Sequence, residues 1–72
     1  MTEQEKNRLL ELGELLSTLG VEFRIAQIGL EKMVEEHGLA SPEAGEASIL
    51  CGDLALRFSE AEEEFLKLRG EL

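Results

Sequence analysis

Apolar residues recur along the first half of the chain at Leu9, Leu12, Leu16, Leu19, Phe23, Ala26, Leu30 and Met33. The steps alternate three and four residues without a slip. That is the seam of an α-helix packed along another helix. The second half repeats the pattern at Ala44, Ala47, Cys51, Leu54, Phe58, Ala61, Phe65, Leu68 and Leu72. Between the two lies His37-Gly38-Leu39-Ala40-Ser41-Pro42-Glu43. Gly38 can take the left-handed conformation that ends a helix, with Leu39 packing back on the last turn as in a Schellman cap. Ser41 is a favoured N-cap, Pro42 suits the first helical position, and Glu43 and Glu46 complement the positive end of the new helix. Thr2 and Glu5 have capping-box spacing at the start of the first helix.

These signals predict an all-α protein: one domain, an antiparallel two-helix hairpin with helices over about 2–37 and 42–69 and a turn at 38–41. Residues facing each other across such a hairpin should have numbers that sum to roughly 80. The rod should be roughly 45–50 Å long at about 1.5 Å per residue. Gly70 is expected to end or fray the second helix. One stretch competes with this reading. Gly20-Val21-Glu22-Phe23-Arg24-Ile25 alternates like a strand, but the seam runs through Phe23 and no second strand is on offer, so helix is expected there.

A hairpin uses one stripe of each helix. A second apolar set remains: Leu10, Leu15, Val21, Ile25, Ile28 and Val34 on the first helix, and Ile49, Leu50, Leu56 and Leu66 on the second. A helix apolar nearly all round is a buried one, and a 72-residue chain is marginal as a monomer. The expectation is a homodimer forming a four-helix bundle, a higher oligomer, or a complex with another protein, with Leu10, Leu15, Val21, Ile25, Ile28, Val34, Ile49 and Leu56 on the interaction face. Four glycines inside the helices, Gly13, Gly20, Gly29 and Gly52, admit either close helix approach or local flexibility. Gly13 and Gly20 share a face, and Gly29 and Gly52 should meet across the hairpin.

Charge narrows the partners. Sixteen carboxylates against seven cations leave a net charge of −9. Such a chain repels phosphate backbones unless its cations gather on one face, and with no Trp or Tyr it has little to stack on bases. Nucleic acid is therefore disfavoured as a partner. The run Glu60, Glu62, Glu63, Glu64 reads as a solvated face, with Glu63 and Lys67 paired one turn apart, or as an acidic docking surface. No apolar stretch reaches membrane-spanning length. The polar, acidic start lacks the pattern of a secretory signal, so a cytoplasmic location is expected.

Catalytic chemistry is not apparent, nor is a cofactor or metal site. His37 suits the negative end of its helix. Cys51, the one cysteine, lies in the seam as a small apolar residue. Asp53 has apolar neighbours, and the pairing rule places it near Arg24 and Gln27 with Arg57 one turn along. The three residues Arg24, Gln27 and Asp53 are candidates for a polar contact that sets register, against an ordinary ion pair at the bundle edge.

Two short stretches carry resemblances. Met1-Thr2 followed by Gln4-Glu5-Lys6 resembles the opening of the plasmid copy-number Rop family, dimeric helical hairpins that bind paired RNA loops. That resemblance implies a dimeric bundle. The positions of that family's RNA face fall on Glu3, Leu10, Glu14 and Thr18, where its cationic, amide and aromatic groups are missing. Gly38-Leu39-Ala40-Ser41-Pro42-Glu43 resembles the turn of the small sporulation aspartyl-phosphate phosphatases. Their Ser-Gln-x-x-Asp corresponds here to Ser48-Ile49-Leu50-Cys51-Gly52, without the amide and the acid, so that activity is not carried over. The expected function is a small acidic self-associating module for protein–protein interaction: an adaptor, co-chaperone or inhibitor, without catalysis. The alternatives are a nucleic-acid- or nucleotide-binding regulatory hairpin using Arg8, Arg24, Lys32 and Arg57, and a phage-type acidic inhibitor or mimic.

Overall fold

The computed structural model describes residues 1–70. The last expected member of the second seam, Leu72, lies outside the described residues. Two helices, α1 (Glu3–His37) and α2 (Pro42–Arg69), pack antiparallel along their lengths. Among the described residues there is no strand, and Gly20 to Ile25 is helical throughout. The molecule measures 51 × 18 × 14 Å.

Each helix end has a local cause. The Thr2 hydroxyl accepts from the Glu5 N–H at 3.1 Å, and the Thr2 N–H donates to the Glu5 carboxylate at 2.9 Å, a complete capping box. At the other end the Gly38 N–H donates to the Val34 carbonyl at 2.9 Å. The Ser41 hydroxyl donates to the Gly38 carbonyl at 2.8 Å and accepts from the Ala44 N–H at 3.1 Å. One serine thus ties the end of α1 to the start of α2, with Pro42 in the first turn. Gly70, at φ 79° and ψ 22°, closes α2 in the left-handed conformation.

The turn differs from the expected Schellman geometry. Gly38 has φ 93°, but its ψ of 157° sends the chain away in an extended direction rather than curling it back. Leu39 consequently stands in solvent, 82% exposed, instead of packing on the last turn.

The seam residues form the core. Leu12, Leu19, Ala26, Cys51, Leu54 and Ala61 are its buried members, and Leu16, Phe23, Leu30, Phe58, Phe65 and Leu68 pack against them half-buried. Leu12 is the one large side chain fully enclosed among the described residues, at 1% exposure. The core is one side chain deep, because two helices can enclose only the line where they touch.

Candidate interaction surface

The seam has two flanks, and they are built differently. One flank is lined by long side chains. Arg8, Leu15, Arg57, Glu60 and Glu64 border a groove over Leu12, Leu19 and Ala61. It continues toward the turn between Glu22, Ile25, Leu50, Asp53 and Arg57. Across it the Arg8 Nε donates to Glu64 Oε2 at 2.6 Å and a terminal nitrogen donates to Oε1 at 3.0 Å. This fork holds the Glu64 carboxyl below the usual carboxylate range and raises the Arg8 guanidinium further. The core leucines on this side, Leu12, Leu19 and Leu54, are buried.

The opposite flank carries small residues at Gly13, Ser17, Gly20 and Ala55. Gly20 and Ala55 border a hollow of about 240 Å³ beside Phe23 and Phe58. Leu9, Leu10, Gly13, Glu14 and Ser17 border a second one beside Phe65. A Cβ built on Gly13 would lie 3.9 Å from the Phe65 ring, and one on Gly20 would lie 3.8 Å from the Phe58 ring. The two pairs share one register (13 with 65, 20 with 58), two short of the expected sum. On this flank Leu9, Leu16, Phe23, Leu30, Phe58 and Phe65 are only half-buried. Arg69, with its guanidinium 5.5 Å from the ring centre of Phe65, lends that ring some cover.

Most residues assigned to an interaction face stand in solvent. Leu10, Leu15, Val21, Ile25, Ile28, Ile49 and Leu56 are exposed, as is Leu50, whereas Val34 and Leu66 are half-buried. Leu10 is 69% exposed and Ile49 74%. They do not form one stripe. Leu10 borders the small-residue flank, Leu15 and Ile25 border the charged flank, and Val21, Ile28, Ile49 and Leu56 occupy heptad positions on the backs of the helices.

The polar trio is not brought together by direct contact. Asp53 pairs with Arg57 one turn along its own helix, at 3.1 Å, and both are exposed. Arg24 is exposed and Gln27 half-buried, and among the described residues neither has a hydrogen bond to Asp53. Geometry explains the choice. Arg57 lies one turn from Asp53 on the same helix face and reaches it directly.

Gly29 and Gly52 likewise do not meet: a Cβ at either would touch nothing within 4 Å. Of the remaining candidates, Cys51 is buried as a free thiol. His37 lies 3.9 Å from its neighbour Glu36 and 3.9 Å from Glu43 across the turn. Glu63 and Lys67 pair at 3.1 Å. Among the described residues no three His, Cys, Asp or Glu side chains are grouped to hold a metal ion, and no helix is long and apolar enough to cross a membrane. Comparison with known families, curated proteins and solved structures returned no match, so the functional reading rests on these residues themselves.

Proposed function

We propose that this chain is a self-associating protein–protein interaction module, a hairpin that completes its core by packing on a second copy as a four-helix bundle. The observation that carries the reading is the surface the hairpin leaves uncovered. A folded monomer of this mass is expected to expose about 4,450 Å². This one exposes 5302 Å², with the seam residues Leu9, Leu16, Phe23, Leu30, Phe58 and Phe65 only half-buried and Leu10 beside them exposed. The excess, roughly 850 Å², is what an elongated rod with a core one side chain deep leaves uncovered.

Association supplies what the hairpin lacks, a second layer of side chains over a core one residue deep. The exposed apolar residues that a bundle leaves outside would serve a further protein as an adaptor or inhibitor surface, and the net charge of −9 would favour partners with a basic face. Sedimentation equilibrium from nanomolar to high micromolar concentration tests the self-association. The expected result is a mass rising from one chain to two. A helical, compact single chain across the whole range would defeat the proposal.

A further inference from the structure

The hairpin has two broad flanks, and the structure assigns one of them, the small-residue flank beside Phe23, Phe58 and Phe65, as the surface on which a second copy of this chain docks. The inference rests on the self-association proposed above and adds which face is used.

Four observations separate the two flanks. First, coverage: the seam side chains toward the charged flank, Leu12, Leu19 and Leu54, are buried beneath grooves of about 320 and 340 Å³, whereas three phenylalanines and three leucines toward the other flank are only half-buried. A copy placed on that other flank finishes a core already begun. Second, charge: on the charged flank Glu22, Asp53, Glu60 and Glu64 outnumber Arg8 and Arg57, which are already paired with Glu64 and Asp53, so two such faces would bring unpaired carboxylates together. The hollow at Gly20, Phe23, Ala55 and Phe58 has no charged residue in its lining, and Glu14 is the one charged residue lining the hollow at Phe65. Third, the glycines: at 3.8–3.9 Å an added methyl group would sit in ordinary contact with each ring, so the hairpin itself does not demand glycine at 13 or 20. Each glycine nonetheless costs helix stability relative to alanine. A surface kept low on both sides of a row of rings gives the backbone of an approaching helix room to come close. Fourth, size: the broad face is 51 Å long and 18 Å wide, enough for an ordinary dimer interface.

A second copy suits this surface because a twofold axis sets the same features against themselves. Phenylalanine ridges of one copy face the glycine and alanine hollows of the other, and the acidic flanks turn outward to water.

The test places a carboxylate on each flank of the full chain and measures association by sedimentation. Ser17→Glu and Ala55→Glu alter the inferred interface at exposed helical positions, where glutamate is an adequate helix former. Ile25→Glu and Leu56→Glu alter exposed positions away from it. The expected result is a dimer dissociation constant raised about tenfold or more by each of the first pair, through burial of an unpaired charge, and changed less than about threefold by the second pair. Circular dichroism at the highest concentration verifies that each variant remains helical. If Ile25→Glu or Leu56→Glu dissociates the dimer while Ser17→Glu and Ala55→Glu leave it intact, the face is wrong although self-association stands. Equal weakening by all four also overturns the assignment, as does a trimer or larger closed assembly of the parent chain. A parent chain that never associates removes the proposed function first, and this inference with it.

Discussion

Arg8 and Glu64 join the two helices at the end far from the turn, 56 residues apart in sequence, through two parallel hydrogen bonds of 2.6 and 3.0 Å. The planar guanidinium matches the carboxylate in a way a lysine does not. Both side chains remain close to half exposed, so the pair is screened and works chiefly as a guide to register. Exchanging the charges (Arg8→Glu with Glu64→Arg) should recover most of the thermal midpoint lost by either substitution alone. Arg8→Lys should lose part of the coupling. A double-mutant cycle on the midpoint checks both, and strict additivity would show that the fork carries no coupling.

Leu12 is where the hairpin is most sensitive. It is 1% exposed and surrounded by the seam. Leu12→Ala should cost about 2–5 kcal/mol, a transfer loss plus the cavity left behind. In a core one layer deep that is a large share of the whole stability. Urea unfolding followed by helical ellipticity should show it, against a Leu39→Ala control at an exposed turn residue that changes stability by less than about 0.5 kcal/mol.

The glycines divide into two kinds. Gly38 holds φ 93°, which an L side chain adopts only under strain, so Gly38→Ala should destabilise by about 1–2 kcal/mol. Gly29 and Gly52 are ordinary helical residues with open space where a Cβ would stand. Gly29→Ala and Gly52→Ala should each stabilise the hairpin by about 0.5–1 kcal/mol. Thermal melts of the three variants measure the signs directly. A loss at Gly29 or Gly52 would mean that something outside the hairpin packs there.

What was legible in the sequence follows range. The helices were legible because the three-four spacing of Leu9 through Met33, and of Ala44 onward, repeats with the period of the α-helix, and because Thr2, Ser41 and Gly38 cap through neighbours within a few residues. The strand-like alternation around Val21 to Ile25 did not outweigh the helical period, since Phe23 keeps its place in the seam. Features that depend on how two helices roll against each other were not legible. Leu39 packs nowhere because one torsion at Gly38 points the chain outward. The Arg8–Glu64 fork pairs numbers well short of the expected sum, because long side chains reach along the groove by more than a turn. The difference between the two flanks was written in the residues beside the seam: Arg8, Leu15, Arg57 and Glu64 on one side, Gly13, Gly20 and Ala55 on the other.

Acidity should act on the two levels of structure in opposite directions. The Glu5 carboxyl is held below its ordinary range by the Thr2 backbone N–H and then by the Thr2 hydroxyl, and the Glu64 carboxyl by Arg8. Both are therefore depressed in the folded state. Their contribution is complete above the unfolded carboxylate value, about 4.3, and is lost as pH falls through the lower folded values. From pH 7 to about 5 these ties should hold. Over that same interval the chain approaches its isoelectric point, near 4.4, and the repulsion between two copies carrying −9 each declines. Association should therefore tighten from pH 7 to 5, and added salt at pH 7 should mimic the effect by screening. Below about pH 4 the cap and the fork should fail and the helices lose stability. Sedimentation across pH and salt, paired with thermal melts, separates the two responses. A dimer that weakens steadily between pH 7 and 5, or on adding salt, would show that ionised carboxylates make the contact and that the apolar flank does not.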